Sequence, residues 1–147
     1  MAGESPTGEI VLGYDDTDES RAALPVAVRL AGSLGTGLVI CFGYEPPRAG
    51  GEVGALREEI EKIGEEIGAT ALADVAAIDA DLPARVELVQ DRPAEAVVRL
   101  ADAVDAPFIV LGHRQRHLLA EVLIGSVLEG VMSETSRPVV VVQADED

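Results

Sequence analysis

The chain has 147 residues, 48% of them hydrophobic and only 3% aromatic, and its formal net charge is −16. This length fits one domain spanning residues 1–147, with a core at about residues 9–143 built from Val, Ile, Leu and Ala, and with short ends expected to be disordered. The negative charge excludes duplex nucleic acid and anionic membranes as favoured partners, because their surfaces repel an acidic protein.

The composition also suggests a compartment. The single cysteine, Cys41, excludes an internal disulfide and favours a reducing cytoplasm. The opening sequence MAGESPTGE lacks the apolar segment of a secretory signal, and no apolar stretch approaches the ~18 residues of a membrane span. We therefore expect a cytoplasmic protein with no membrane partner. A salt-rich host and an ordinary acidic bacterial protein both agree with the charge, since high salt relieves self-repulsion.

The first half of the chain predicts two strands and two helices. A strand is predicted over residues 9–15, and Asp16 or Thr17 is placed to cap a helix that ends near Leu34. Residues 37–44 are apolar almost throughout, which is typical of a strand covered on both faces.

A second helix is predicted from about Ala55. Gly64 and Gly68 weaken its pattern, so a bend or an interruption is one expectation there. Glutamates fill most of the polar positions and are expected to face solvent. The predicted core-facing stripe has spacings of four, three and four residues and consists of Leu56, Ile60, Ile63 and Ile67.

The second half predicts three more strands, at residues 84–90, 106–112 and 137–143, with a helix that begins at Pro93 between the first two. The strand at 84–90 alternates most strongly and is expected nearer a sheet edge. Five strands separated by helices predict an α/β fold with an open, doubly wound, mainly parallel sheet and helices on both faces. Ligands of such sheets lie beyond the carboxyl ends of strands, where the strand order reverses.

The stretch VLGHRQRHLLAEVLIGSVLEG, residues 110–130, carries the clearest functional signal. Gly112 and Gly125 permit positive φ and close approach of the backbone to an anion. Ser126 opens a helical pattern, where unpaired amides and the helix dipole favour negative charge. Arg114 and Arg116 add two guanidinium groups near the expected position of phosphates.

Over residues 10–142 the chain resembles the universal stress protein family. Its nucleotide-binding members have an aspartate at the end of the first strand and, much later, the motif G-x2-G-x9-G-[S/T]. The segments DRPAEAVVRLADAVDAPFIVLG and SRPVVVV also look like the family's third helix, fourth strand and last strand. The residues that match the aspartate and the motif, at the motif's spacing, are Asp15, Gly112, Gln115, Gly125 and Ser126.

The resemblance implies a Rossmann-like sheet with strand order 3-2-1-4-5, which brings Asp15 and Gly112 to one crevice. It implies ATP or AMP as ligand, with any Mg²⁺ held through phosphates and water. In ATP-binding relatives the aspartate contacts ribose or adenine, the residue matching Phe42 lies against the base, and the glycines and hydroxyl receive phosphates. The candidate nucleotide-binding residues are then Gly13, Tyr14, Asp15, Phe42, Gly112, Gln115, Gly125, Ser126 and Val127, with Arg114 added for its charge.

One position departs from the family's motif, because Gln115 replaces its second glycine. A left-handed backbone there costs glutamine roughly 1–2 kcal/mol, and about 1.4 kcal/mol is a tenfold loss of affinity. Two functions therefore stand side by side. One is a nucleotide-binding stress-response regulatory protein without dedicated catalysis, and the other is a nucleotide-free dimeric scaffold or signalling module.

Several candidate residues also have structural explanations. Ser126 and Glu129 form a capping box that needs no ligand. Asp15 suits the turn into the first helix, and Tyr14 and Phe42 fit ordinary core or rim positions.

The sequence predicts no committed catalyst and no metal site. It contains neither a G-x4-G-K-[S/T] phosphate loop nor a G-x-S-x-G elbow, and slow ATP hydrolysis is left open. His113 and His117 are four residues apart without a third Cys or His nearby. A last strand at the sheet edge has to be covered, which favours a homodimer through Pro138, Val139, Val140, Val141 and Val142.

Overall fold

The structure, a computed structural model, describes residues 8–45, 53–114 and 126–144. The described strands form one five-stranded sheet in the order β3-β2-β1-β4-β5, and every neighbouring pair is parallel. The strands are β1 (Ile10–Gly13), β2 (Leu38–Tyr44), β3 (Ala84–Gln90), β4 (Ile109–Arg114) and β5 (Val139–Ala144). The helices are α1 (Asp18–Leu34), α2 (Val53–Ile78), α3 (Pro93–Val104) and α4 (Ser126–Glu134). The predicted α/β fold and strand order are confirmed.

The core has two layers, one on each face of the sheet. Successive strand residues point to opposite faces, so Ile10 and Leu12 pack with α1 and α2, whereas Val11 packs with α3 and α4. All three side chains are fully buried. Burial on both faces explains why the central strands are apolar at nearly every position.

Local signals set the ends of α1 as predicted. The Thr17 hydroxyl accepts a hydrogen bond from the Ser20 amide at 3.3 Å, which makes Thr17 the N-cap. Gly35 ends the helix in the left-handed conformation, with φ of 69°. The first turn carries Asp18 and Glu19, whose negative charge suits the helix N-terminus.

Helix α2 differs from its prediction in two ways. It runs from Val53 to Ile78 as one helix, and Gly64 and Gly68 in its interior face the sheet. A Cβ at Gly64 would lie 2.6 Å from Leu88 Cδ2, and one at Gly68 would lie 2.9 Å from Val86 Cγ1, so glycine lets the helix approach β3 closely.

The predicted apolar stripe of α2 is therefore wrong in part. The buried line consists of the small and medium residues Gly64, Gly68, Ala71 and Val75. Leu56 and Ile63, which were expected in the core, are 48% and 47% exposed. The helix therefore turns its glycines toward the sheet, and its large apolar residues Leu56 and Ile63 lie away from the core.

Strands β3 and β5 are the two edges of the sheet, which confirms the prediction for residues 84–90. None of the helices in the described ranges is long and apolar enough to span a membrane. The predicted ends of the domain, residues 1–7 and 145–147, lie outside the described residues.

Candidate functional site

A hollow of about 300 Å³ lies at the carboxyl ends of β1, β2 and β4. The strand order reverses between β1 and β4, which is where open α/β sheets bind their ligands. The starts of α1, α3 and α4 complete its walls. The lining residues are Gly13, Tyr14, Asp15, Thr17, Glu19, Ser20, Cys41, Gly43, Pro93, Val97, Leu111, Gly112, His113, Arg114, Val127 and Leu128.

Small residues from β1 and β2 form the floor of the hollow. A Cβ at Gly13 would lie 2.7 Å from Leu111 Cδ2, and one at Gly43 would lie 2.8 Å from Ala96 Cβ. Cys41 pairs with Gly13 in the register of β1 and β2 and is 1% exposed. Burial, with a smaller contribution from the negative charge of Glu87, raises the pKa of the Cys41 thiol to about 12. The floor is therefore uncharged at neutral pH.

Asp15 lies at the mouth of the hollow and also organises the turn into α1. Its Oδ1 accepts hydrogen bonds from the Thr17 hydroxyl at 2.6 Å and from the Thr17 amide at 3.2 Å. The Asp15 amide in turn donates to the Ser20 hydroxyl at 3.4 Å. The turn role that the sequence left as an alternative is thus present, and the exposed carboxylate still borders the hollow.

Gly112 is glycine for a reason other than the expected positive φ. Among the glycines of the described ranges, only Gly8 and Gly35 have positive φ. A Cβ at Gly112 would overlap the carbonyl oxygen of Glu19. Gly112 therefore lets the first turn of α1 lie directly on β4, beside the hollow.

The two candidate aromatic residues lie on the opposite face of the sheet from the floor. Tyr14 borders the hollow, but its side chain is in the core cluster of Ile10 and Leu12 and the residue is only 4% exposed. Burial first, and then the negative charges of Asp16 and Asp74, raise the pKa of the Tyr14 phenol to about 12. Because the Tyr14 ring packs in this core cluster, it does not fill the hollow.

Phe42 does not line the hollow. Its ring stacks on Tyr44 with centroids 6.5 Å apart and packs where Gly64 of α2 approaches the sheet. Because Phe42 follows Cys41 in β2, strand alternation turns it away from the floor. The structure does not bring this residue to the other candidates, in contrast to what the resemblance implied.

Arg114 lines the hollow and is already engaged by acidic residues. Its Nη2 donates to Asp18 Oδ2 at 2.9 Å, and its Nε donates to Glu19 Oε1 at 3.5 Å. Sequence reasoning missed Asp18 and Glu19 as neighbours of the site. Their signal was present, since first-turn acids of the helix after β1 must lie at the carboxyl end of the sheet.

The structure describes only some of the remaining candidate residues. Gln115 and Gly125 lie outside the described residues, as do Arg116 and His117. Helix α4 begins at Ser126, and Val127 lines the hollow. His113 also lines it, but the described ranges contain no group of three or more His, Cys, Asp or Glu residues suited to a metal ion.

Comparison with known proteins agrees with this architecture. The family model "Universal stress protein family" matches residues 7–143. The universal stress protein in the QAH/OAS sulfhydrylase 3′ region of Thermus aquaticus is 33% identical over 138 residues, which cover 91% of this chain and 97% of that protein.

Two solved structures share the fold. The universal stress protein from Archaeoglobus fulgidus has a TM-score of 0.76 and 24% identity, covering 92% of this chain and 98% of its own. A universal stress protein solved in complex with cAMP has a TM-score of 0.68 and 25% identity, covering 95% and 100%. With its fold and its sequence both matched over nearly the whole chain, this protein belongs to the universal stress protein family.

Proposed function

We propose that this chain binds an adenine nucleotide, ATP or AMP, in the hollow between β1 and β4, and acts in the cytoplasm as a stress-response regulatory protein without dedicated catalysis. The observation that carries the proposal is the hollow itself. It lies at the reversal point of the sheet, has a small uncharged floor at Gly13 and Cys41, and adjoins the start of α4. A helix start offers free amides to a phosphate group.

The relative solved with cAMP supports the same ligand class, because its fold matches this chain over 95% of the length. In this proposal Asp15 binds a ribose hydroxyl or the base, and the amides near Ser126 and Val127 bind phosphate. Gln115 and Gly125 stay in the proposal as the loop residues before α4. Any Mg²⁺ is held through phosphates and water.

Isothermal calorimetry with AMP and ATP tests this function. Asp15→Asn keeps the acceptor for Thr17 but removes the charge, so AMP affinity should fall about tenfold with the loss of one charge-assisted hydrogen bond. Asp16→Asn is the matched control. It removes the same charge one residue away, outside the hollow lining, and asparagine tolerates the positive φ of 66° there. Absence of binding heat at millimolar nucleotide would rule the function out.

The nucleotide-free scaffold remains a second candidate because one observation favours it. Both Arg114 and Asp15 have partners within the protein, namely Asp18 and Glu19 for the first and Thr17 for the second. Gln115→Gly separates the two candidates. In a scaffold, the glycine should create affinity where the natural protein has none, whereas in a nucleotide-binding protein it should strengthen existing affinity by about tenfold or less.

We also propose a homodimer through β5, at residues Pro138, Val139, Val140, Val141 and Val142. Strand β5 is a sheet edge, and Val141 is 37% exposed on it. An exposed apolar edge strand favours pairing with a second copy. Val141→Lys should therefore shift the mass measured by light scattering from dimer to monomer. An unchanged mass would place the contact elsewhere.

A slow hydrolase is the remaining variant of the proposal. Phosphate release by the natural protein that exceeds the release by Ser126→Ala would establish it. Equal release would leave a binding function alone.

A further inference from the structure

We infer that the nucleotide taken by this site is a monophosphate, linear or cyclic, in preference to a triphosphate. The inference rests on the proposed nucleotide site and concerns which member of the class the site favours. It follows from the charges that the structure places at the mouth of the hollow.

The described part of the mouth is acidic despite the presence of Arg114. Asp15, Glu19 and Arg114 line the hollow, and Asp18 pairs with Arg114. Three carboxylates and one guanidinium group leave a formal charge of −2 among these described residues. A triphosphate carries about two more negative charges than a monophosphate at neutral pH. Its extra charges are therefore repelled at this mouth, and the formal charge of −16 on the chain adds to the effect.

The Arg114 guanidinium group is already paired with two carboxylates and does not offer an unpaired positive charge to a phosphate. Its Nη2 lies 2.9 Å from Asp18 Oδ2 and its Nε lies 3.5 Å from Glu19 Oε1. A phosphate can pair with this guanidinium group only by displacing Asp18 or Glu19. The displaced carboxylate then faces the ligand without a cation beside it.

The hollow itself suits the nucleoside part of a ligand. Its volume of about 300 Å³ lies at the lower end of the range for small-molecule sites. Its floor of Gly13, Cys41 and Gly43 is uncharged, as are the neighbouring Val97 and Leu111. Shape and charge together favour a ligand with a large neutral part and few phosphates.

Calorimetric titration with AMP, cAMP, ADP and ATP at low salt without Mg²⁺ tests the inference. AMP and cAMP should bind at least tenfold more tightly than ATP. ATP affinity should rise as salt increases, because salt screens repulsion. A site dominated by free cations would instead lose affinity with salt. ATP binding equal to or tighter than AMP binding overturns the inference, whereas no binding by any of the four overturns the proposed function.

The substitution Glu19→Gln tests whether the preference for AMP over ATP arises from the charges at the mouth. It removes one charge at the mouth and weakens one partner of Arg114, so the preference for AMP over ATP should fall at least threefold. Glu66→Gln is the control, since it makes the same change of net charge on the exposed side of α2. Thermal melting checks that both variants are folded. An equal shift in both variants, or no shift in Glu19→Gln, contradicts a local electrostatic cause.

Discussion

The two faces of the sheet are built differently at the same level of β1 and β2. On the face of α1 and α2, the rings of Tyr14, Phe42 and Tyr44 fill the space. On the face of α3 and α4, Gly13, Cys41 and Gly43 leave a hollow. Small and aromatic residues alternate in both strands. Gly13 is followed by Tyr14 at the end of β1, and residues 41–44 of β2 read CFGY. One period-two pattern thus determines which face can hold a ligand.

The difference separates residues that hold the fold from residues that line the hollow. The aromatic face should respond to truncation with a loss of stability. The face with the hollow should respond to added volume with a loss of binding.

Removing a ring from the filled face should have the largest effect. Tyr14→Ala is expected to lower the free energy of unfolding by about 3–5 kcal/mol, the range for truncating a buried aromatic side chain. At roughly 2–4 °C per kcal/mol for a domain of this size, the melting temperature should fall by about 10 °C. Tyr14→Phe keeps the ring and should melt within a few degrees of the natural protein. A loss below about 1 kcal/mol in Tyr14→Ala would show that the ring is not packed as described.

The fold was largely predictable, because strand and helix periodicities depend on local pattern. Thr17 and Pro93 mark helix starts by capping and by ring geometry, and both are where they were expected. The face that α2 turns to the sheet was not predictable in this way. Gly64 and Gly68 count as weak helix formers in a sequence pattern, yet in three dimensions they allow the closest approach to β3.

The position of the hollow was predictable, but only part of its lining was. Parallel strands with a reversal of order place Asp15 and Gly112 together, and the structure agrees. The family resemblance also carried over Phe42, although its position beside Cys41 in β2 turns it to the other face. The neighbours of Arg114 depend on how α1 lies across β4, which no single segment of sequence encodes.

On the face with the hollow, the first test is the reactivity of Cys41. Burial raises the pKa of this thiol to about 12, so the reactive thiolate is scarce at pH 7.5. A thiol reagent should therefore react at least about a hundredfold more slowly with the native protein than with the protein in denaturant. Saturating AMP should slow the native reaction further by covering the floor. Rapid native labelling would contradict the burial of the floor.

Adding one methyl group to the floor should reduce binding. In Gly13→Ala, the new Cβ meets the flexible end of Leu111 at 2.7 Å, which pushes that side chain into the hollow. AMP affinity measured by calorimetry should fall about tenfold, the equivalent of about 1.4 kcal/mol. Gly54→Ala is the control, since a Cβ there meets no atom within 4 Å. Full affinity in Gly13→Ala would place the ligand away from β1.

The smallest effect concerns alkaline stability on the aromatic face. The pKa of Tyr14 is raised from 10.0 to about 12 by burial and by nearby negative charge. The unfolded chain ionises this phenol first, so the associated stability is complete below about pH 10 and is lost as pH rises toward 12. Denaturant titrations at pH 9, 10 and 11 should show a steeper decline for the natural protein than for Tyr14→Phe. Parallel declines would assign the alkaline loss to other groups.

Nuclear magnetic resonance of the ¹⁵N-labelled protein during titration with AMP shows where the nucleotide binds. If the hollow of the α3 and α4 face binds the nucleotide, saturable shifts should centre on the amides of Gly13, Gly112 and Val127. The amides of Ala71 and Val86, on the other side of the sheet and at its edge, should stay in place. Shifts centred on α2 and β3, or none at millimolar AMP, would contradict the account.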